Sequence, residues 1–369
     1  MKAAVVTFHN AMNYGATLQT WALQKAIKNL GADPCVINYH TDAIDRLYLP
    51  AKADTFEKKK KKLFDAEYRN NLKDQELKYD KYHAFLNKHL DIVGDYTSYE
   101  ALAADAKNEL SGIDAFITGS DQVWNTDHTG GYDGAYTLDF VKSGKKISYA
   151  ASIGRDFFLP QYSEQFSNAL KSFDAISVRE NEGVAAVGGV CDKRAEVVLD
   201  PTLLLKAKDY DEIYTEKKRP YRYILVYMME TNKSFISLAN SLSSTTGLPI
   251  IQRRQKHFFK NEIDSFYTDT PGEFLSEIKN AEMVLTNSFH GTVFSIMYRK
   301  PFISMLHTQT GSRVVDLLTG LGLDEHIIYR QSDFATMDQL KIKDEAALSA
   351  RIDELSGKSR EFLKKSLGV

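Results

Sequence analysis

The sequence predicts an α/β fold in which parallel sheets are covered by helices and are divided between two domains. Strand-like and helix-like segments alternate through most of the chain, which is the pattern of βαβ units. Polar residues follow the apolar runs directly, as they do at the carboxyl edge of a parallel sheet, where ligands bind. The chain has 369 residues, more than one core usually holds, so we expect two domains.

The first half opens with a strand, a helix and a second strand. Residues 3–8 predict a strand, and Asn13 opens a helix whose apolar positions recur at helical spacing as far as Leu30. Gly31 ends this helix, and residues 36–39 predict the next strand. Because the apolar start is short and turn residues follow it at once, it predicts a strand rather than a signal peptide, and we expect a cytoplasmic protein.

Residues 42–100 differ in composition from the segments on either side. Lys, Tyr and Asp dominate, and we predict a helical insertion in the first domain. The insertion contains a lysine run at 58–62, flanked by Phe56, Leu63 and Phe64. Such a run is either a solvated helix face, which we favour, or a peripheral contact with an anionic membrane surface.

Four more strands complete a first domain predicted as residues 1–208. Each is an apolar run followed by polar residues, at 113–118, 147–151, 175–178 and 197–199. A charged linker at 206–220 leads into a second α/β domain, predicted as residues 209–344. Its strands are predicted at 223–227, 249–251, 283–285 and 301–306. Residues 313–321 predict a helix, and 345–369 predict a charged, amphipathic C-terminal helix.

Composition argues against several classes of function. The net charge is −2, so no global field marks a nucleic-acid binder. The two cysteines, Cys35 and Cys191, suggest no disulfide framework, and no His-x-x-x-His or Cys-x-x-Cys spacing predicts a metal site. No apolar run is long enough to span a bilayer. The glycine spacings match neither a P-loop nor a dinucleotide fingerprint, so we expect no bound cofactor.

The strongest functional signal lies at residues 284–296. An apolar run ends there in Asn287 and Ser288, and His290 and Gly291 open a helix-like pattern. Helix N–H groups at such a strand end favour anions, and a histidine there can bind an anion or transfer a proton near neutral pH. The alternative is that His290 only caps the helix.

Polar groups at strand ends in the first half are further candidates. Asp121 is a candidate general base or hydroxyl-orienting group, or alternatively a helix cap. Arg179 is a candidate ligand of carboxylate or phosphate, or alternatively a surface partner of Glu180 or Asp174. The remaining candidate substrate-binding residues are polar or small residues at the same strand ends: Asn13, Tyr14, Gly15, Ser120, Gln122, Asn125, Asn287, Ser288, Gly291 and Arg313.

Seven short motifs occur in order along the chain. They are Asn-Tyr-Gly-Ala-Thr-Leu-Gln at 13–19, Thr-Gly-Ser-Asp-Gln-Val-Trp-Asn at 118–125, Tyr-Ala-Ala-Ser-Ile-Gly at 149–154, Ser-Val-Arg-Glu at 177–180, Leu-Asp-Pro-Thr at 199–202, Asn-Ser-Phe-His-Gly at 287–291 and Ser-Arg-Val-Val-Asp-Leu-Leu at 312–318. With these motifs the chain resembles the polysaccharide pyruvyl transferase family over most of its length. Each motif is weak alone, whereas the ordered set is specific.

The resemblance implies a GT-B-like fold, in which two Rossmann-like domains face each other across a cleft. It also implies phosphoenolpyruvate as donor and a sugar of a polysaccharide or lipid-linked glycan precursor as acceptor, joined as a pyruvate ketal. By this resemblance, His290 matches the family's proposed catalytic histidine, and Arg179 and Arg313 match positions that bind the donor's carboxylate or phosphate. Asp121 is the carboxylate expected to remove the hydroxyl proton. This chemistry requires neither a metal nor a redox cofactor.

One motif departs from the family pattern. Some branches carry Ser-x-Arg-Leu-His, whereas here Phe289 directly precedes His290 and no arginine lies beside it. A different donor or acceptor in this branch therefore stays open. Two alternatives are a nucleotide-sugar-dependent glycosyltransferase on the same fold, and a non-catalytic protein that binds a glycan or an anion. The presence together of His290, Arg179 and Asp121 argues against the non-catalytic alternative.

Overall fold

The computed structural model describes residues 1–48, 58, 62–63, 65–106, 108–254, 257–308 and 311–369. Its strands form two separate sheets, one of seven strands and one of six. Every strand pair in both sheets is parallel, so helices and loops cross over between neighbouring strands. Both sheets therefore carry their ligand-binding edge at the carboxyl ends of their strands.

The first sheet has the strand order β3-β2-β1-β4-β5-β6-β7. Its strands are β1 (Lys2–Val6), β2 (Asp33–Tyr39), β3 (Ile92–Tyr96), β4 (Ala115–Thr118), β5 (Lys145–Ala151), β6 (Ala175–Val178) and β7 (Ala195–Val197). The helices of this half are α1 (Tyr14–Asn29), α2 (Asp42–Tyr48), α3 (Ala66–His89), α4 (Tyr99–Asp105), α5 (Thr126–Thr129), α6 (Ser163–Leu170) and α7 (Asn181–Gly188). The order reverses between β1 and β4, which creates a crevice at their carboxyl ends.

The second sheet has the order β10-β9-β8-β11-β12-β13 and reverses between β8 and β11. Its strands are β8 (Ile224–Tyr227), β9 (Ile250–Gln252), β10 (Glu262–Ser265), β11 (Met283–Thr286), β12 (Phe302–Met305) and β13 (Ile327–Ile328). The helices that follow the linker are α8 (Lys233–Thr246), α9 (Pro271–Asn280), α10 (Phe289–Met297), α11 (Ser312–Leu321) and α12 (Glu345–Leu367). Short 3₁₀ turns lie at Pro160–Tyr162, Pro201–Leu204, Ala207–Glu212, Asp324–His326, Gln331–Asp333 and Met337–Leu340.

The C-terminal helix α12 packs on the first sheet, although it follows the second one in the chain. Leu363 and Leu367 are buried in a cluster with Ala3 and Val5 of β1. The Ser359 hydroxyl accepts a hydrogen bond over 2.9 Å from the backbone N–H of Leu199, two residues after the end of β7. The chain thus crosses between the two halves twice, which ties them together at one side.

The two halves also share an aromatic core. Tyr14, the first residue of α1, stacks on Phe274 of α9 with ring centroids 4.3 Å apart. Its hydroxyl donates to the carbonyl of Phe266 over 2.5 Å. Nearer the cleft, the Asn181 N–H donates to Asp316 over 2.8 Å, so α7 and α11 also meet across the boundary. These contacts fix how the two ligand-binding edges face each other.

Most predicted elements are present, with three differences. The insertion at 42–100 is not wholly helical, because β3 lies within it and pairs with β2. β10 and β13 had no predicted counterpart, and the strand predicted at 197–199 lies at Ala195–Val197. These are edge strands of two to four residues, too short to show an alternating pattern. The last strand of the first sheet and the first strand of the second flank the predicted boundary at 208–209.

The lysine-run prediction falls mostly outside the described residues. Phe56, Phe64 and the lysines at 59–61 lie outside them, whereas Lys58 and residues 62–63 are described. In the described part of the chain, no helix has both the length and the apolar character needed to cross a membrane.

Candidate active site between the two sheets

A cavity of about 320 Å³ lies where the carboxyl ends of the two sheets face each other. Its volume falls in the range typical of small-ligand sites. The predicted site residues that line it come from both halves: Asn13, Asp121, Gln122, Asn287, Ser288, His290 and Arg313. Seven of the predicted site residues therefore lie on one surface, although they are spread over about 300 positions of the chain.

Two helix N-termini from opposite halves point into this cavity. Asn13 caps α1 by accepting a hydrogen bond from the Gly15 N–H over 2.9 Å. Ser288 caps α10 by accepting from the Gly291 N–H over 3.3 Å. Both cap residues line the cavity. Since the N-terminus of a helix carries partial positive charge and unpaired N–H groups, the two ends together favour an anionic ligand.

His290 is held between a glycine of the first half and a buried carboxylate. Its Nε2 lies 3.5 Å from Oδ2 of Asp200, at the long limit of a hydrogen bond. Its Nδ1 lies so close to Gly15 that a Cβ added there would be 2.0 Å away. Only a glycine at this position of α1 leaves room for the imidazole, so the two halves must meet at His290. The side chain is 9% exposed and still lines the cavity.

Asp200 organises the polar groups beneath the cavity. Its Oδ2 accepts from Ser120 Oγ over 3.1 Å and from Arg179 Nη1 over 3.0 Å. Its Oδ1 accepts from the N–H and the hydroxyl of Thr202. Burial alone would raise the pKa of Asp200, but His290 and Arg179 hold it well below its usual range. Asp200 is therefore a fixed negative charge 3.5 Å from Nε2 of His290.

Arg179 lies in a buried ionic cluster rather than on the cavity surface. Its side chain is 1% exposed and contacts Asp200, with Nη2 3.5 Å from Asp121 and Nε 3.9 Å from Glu180. Burial lowers the pKa of this guanidinium, but the three carboxylates raise it above its ordinary value. The alternative pairing with Glu180 is present, but it is buried rather than at the surface, and Asp174 instead accepts from the N–H of Lys146. The arginine neutralises the carboxylates that flank His290.

Arg313 is the arginine that lines the cavity itself. Burial and the nearby Arg179 lower its pKa to about 10. Both guanidiniums lie against the ring of Phe289, with that of Arg179 4.7 Å and that of Arg313 5.9 Å from the ring centroid. Phe289 thus packs against two cations at the position where the sequence departs from the family pattern. An anion in the cavity would relieve the repulsion that Arg313 experiences.

Asp121 reaches the cavity through an unusual turn. The preceding Gly119 has φ +105°, and a Cβ there would lie 2.3 Å from the carbonyl oxygen of Tyr149. Asp121 itself has φ +74°, a conformation that aspartate adopts more readily than most residues. Its Oδ1 accepts from the Gln122 N–H over 2.8 Å. Burial raises its pKa, but Arg179, His290 and Arg313 outweigh this, so its pKa is lowered and the group is ionised at neutral pH.

Six predicted site residues do not line the cavity. They support it from behind or beside it, and they are Tyr14, Gly15, Ser120, Asn125, Arg179 and Gly291. Tyr14 lies in the aromatic core between the halves, and Asn125 caps α5 while donating to Gln122 over 2.9 Å. Gly291 lies against Thr286, where a Cβ would be 2.3 Å from the hydroxyl oxygen. These residues therefore hold the cavity-lining residues in place and do not face the cavity themselves.

Sequence reasoning missed two histidines and the role of Asp200. His128 and His307 line the cavity from the first and second halves. Burial lowers the pKa of both, and Arg313 lowers it further. His307 directly follows the strand predicted at 301–306, so its strand-end position was a signal that could have marked it, whereas His128 lies within the short helix α5 and carried none. Asp200 stood at a strand end in one of the motifs, but its pairing with His290 spans 90 positions and has no local signature.

The described residues contain no cluster of three or more His, Cys, Asp or Glu placed to hold a metal ion. The arrangement instead offers a guanidinium and two helix N-termini at the cavity, an imidazole beside a buried carboxylate, and a second carboxylate at the rim. These groups can bind an anion and move protons beside it.

The sequence profile of the polysaccharide pyruvyl transferase family matches residues 13–308. The chain belongs to this family. The match covers every residue of the cavity described above except Phe8, Ala11 and Arg313. A search of curated protein sequences finds no match. The family places the chain among transferases that act on polysaccharides.

Solved structures share the fold at low sequence identity. The S. aureus MnaA–UDP co-structure is similar over 100% of this chain and 97% of its own, with 13% identity and a TM-score of 0.50. The UDP-GlcNAc 2-epimerase from Neisseria meningitidis bound to UDP-GlcNAc covers 100% and 99%, at 8% identity and a TM-score of 0.47. The spinosyn rhamnosyltransferase SpnG with spinosyn aglycone covers 99% and 96%, at 9% and 0.42. The predicted GT-B-like fold of two Rossmann-like domains is confirmed.

Proposed function

We propose that this protein transfers a pyruvyl group from phosphoenolpyruvate to two hydroxyls of one sugar in a polysaccharide or glycan precursor, forming a ketal. The observation that carries the proposal is the proximity of His290 to the buried Asp200 at the edge of a cavity lined by Arg313 and two helix N-termini. The small size of the cavity suits a three-carbon donor. Membership of the family supports the same reaction class.

The donor is bound by its two anionic groups. Arg313 lines the cavity and can take a carboxylate or phosphate through its planar fork. The N-termini of α1 and α10 supply backbone N–H groups and positive dipole ends for the other anionic group. Arg179 acts from behind, since its buried guanidinium holds Asp121 and Asp200 in place and adds positive potential.

His290 is the proposed general acid. Its imidazole lies at the edge of the cavity with Nε2 3.5 Å from the buried carboxylate of Asp200, which places a fixed negative charge beside the proposed proton donor. Transfer of this proton to the methylene carbon of phosphoenolpyruvate converts the C=C π pair into a C–H bond. The adjacent carbon becomes an oxocarbenium-like centre that a sugar hydroxyl attacks.

Asp121 is the proposed base for the attacking hydroxyl. Its carboxylate is ionised because of the three cations around it, and its side chain keeps 17% exposure at the cavity. After the first addition, the bond between carbon and the phosphate oxygen breaks and phosphate leaves with the electron pair. The second hydroxyl then adds to the same carbon, which closes the ketal ring and releases its proton.

Phosphate release tests this proposal. Wild type and His290→Ala are incubated with phosphoenolpyruvate and oligosaccharides ending in glucose, galactose, mannose or N-acetylglucosamine. We expect acceptor-dependent phosphate release by wild type and a loss of about 10²–10⁴-fold in the variant, the usual cost of removing a general acid. Circular dichroism checks that the variant is folded. Full turnover in a folded His290→Ala variant, or transfer from UDP-N-acetylglucosamine instead, would contradict the proposal.

A further inference from the structure

A second cavity, of about 420 Å³, lies in the first half of the molecule. It opens at the carboxyl ends of β1, β2 and β3, the same edge of the sheet at which the active-site cavity lies. None of the residues assigned to pyruvyl transfer lines it. Its polar lining is built by side chains that the reaction does not use.

One loop forms the wall between the two cavities. Phe8, Ala11 and Asn13 line the active-site cavity, whereas Asn10 and Met12 line the second cavity. Neighbouring side chains of the same short loop therefore face opposite spaces.

The floor of the second cavity is a hydrogen-bonded network of uncharged and acidic groups. His40 bridges two carboxylates, with Nδ1 2.9 Å from Asp45 and Nε2 3.2 Å from Asp95. Asn38 donates to Asp95 over 2.9 Å and accepts from Asn10 over 2.9 Å. Amide and carboxylate groups spaced in this way can accept and donate hydrogen bonds to neighbouring hydroxyls of one ligand.

The second cavity is more acidic than the active site. Asp45 and Asp95 line it beside the imidazoles of His40 and His83, whereas in the active site Asp121 is balanced by Arg313 and two helix N-termini add positive dipole ends. An anion such as phosphoenolpyruvate is repelled by the former and attracted by the latter. The second cavity therefore suits an uncharged ligand rich in hydroxyls.

Helix α3 supplies an aromatic wall to the same cavity. The rings of Tyr79 and His83 lie 4.1 Å apart, and Leu86 lines the cavity beside them. Asn87 adds an exposed amide at the rim. A sugar ring has an apolar C–H face and polar hydroxyl edges, so it fits between an aromatic wall and an amide–carboxylate floor.

We propose that the second cavity binds an uncharged sugar residue of the acceptor glycan, adjacent along the chain to the sugar that is modified. This inference rests on the proposed function, because it assigns the second cavity to the acceptor of that reaction. It predicts that the enzyme recognises at least a disaccharide. A lone sugar loses the contacts made in the second cavity.

The test uses saturation-transfer NMR with maltotriose, cellotriose, chitotriose and β-1,4-galactotriose as probes. The variant is the double substitution His83→Ala and Asn87→Ala, and the control is Lys88→Ala, an exposed residue of the same helix. We expect at least one trisaccharide to bind wild type and the control, and to bind the double variant at least about tenfold more weakly. Phosphoenolpyruvate affinity is expected to stay within about twofold in all three proteins.

Equal trisaccharide binding by the double variant and wild type would overturn the inference, as would the absence of binding by any of the four probes. Failure of phosphoenolpyruvate to bind wild type would instead overturn the proposed donor. In that case, a loss of trisaccharide binding in the double variant would still establish the second cavity as a glycan site. Trisaccharide binding therefore tests the glycan site, and phosphoenolpyruvate binding separately tests the proposed donor.

Discussion

Replacing Lys78 with methionine is expected to stabilise the protein. Lys78 is 4% exposed in α3, and its Nζ lies over the rings of Tyr82 and Tyr267 at 5.3 and 4.8 Å from their centroids. Burial, with a smaller contribution from Arg253, lowers its pKa from 10.5 to about 6. At pH 7 the folded protein therefore holds a mostly neutral amine that the unfolded chain would keep protonated.

The magnitude follows from proton linkage. Between pH 6 and 10.5 the unfolded chain binds more protons than the folded one, so the contribution of Lys78 to stability rises with pH. The pKa of Lys78 in the unfolded chain is 10.5, about 3.5 units above pH 7. Removing the proton on folding at pH 7 costs about 1.4 kcal/mol per unit, so Lys78 lowers the free energy of unfolding by about 5 kcal/mol. Methionine has a similar length and no charge, so Lys78→Met removes this cost.

The assay is urea unfolding followed by tryptophan fluorescence at pH 7 and pH 9. We expect the variant to exceed wild type in free energy of unfolding by several kcal/mol at pH 7, and this advantage to shrink by about 3 kcal/mol at pH 9. Lys73→Met, at an exposed position of the same helix, is the control and should show neither effect. A Lys78→Met variant that is less stable than wild type, or whose advantage does not change with pH, would refute the reasoning.

Three further substitutions test the site. Gly15→Ala should displace the imidazole of His290 and lower kcat by at least about tenfold. Gly188→Ala, where an added Cβ meets nothing within 4 Å, should leave kcat unchanged, and equal kcat in the two variants would contradict the packing argument. Arg313→Ala should raise the KM for phosphoenolpyruvate with little loss of stability, and Arg313→Lys should restore only part because a point charge lacks the planar fork; an unchanged donor KM would exclude this role. Arg179→Ala should lower the free energy of unfolding by about 3–5 kcal/mol, because it leaves buried carboxylates unpaired, and a chemical denaturation curve like that of wild type would show the cluster to be dispensable.

The fold was predictable where the signals are local and strong. The helix after Asn13 and the helix ending before Gly322 carry cap residues and apolar spacing, and both are present as predicted. The edge strands β10 and β13 were not predicted because they have only four and two residues, and β3 was not predicted because it lies within a polar segment whose composition favoured helix. Their pairing depends on neighbouring strands that are distant in the chain.

The residues of the site were predictable from their positions at strand ends, but the contacts among them were not. The motifs pointed to His290, Asp121 and Arg313, which the structure brings to one cavity. The burial of Arg179 could not be read from the sequence, because its closest partner, Asp200, belongs to another strand end and no local pattern links the two. The same holds for the contact of Gly15 with His290, which exists only once the two halves are packed together.

Calorimetric titration of phosphoenolpyruvate into wild type and Arg313→Ala tests the central claim most directly, namely that the cavity lined by Arg313 between the two sheets is the donor site. We predict binding of phosphoenolpyruvate by wild type, a Kd at least about tenfold higher in the variant, and no competition by UDP-N-acetylglucosamine. Equal Kd values in the two proteins would contradict the claim, as would binding of the nucleotide sugar in place of phosphoenolpyruvate.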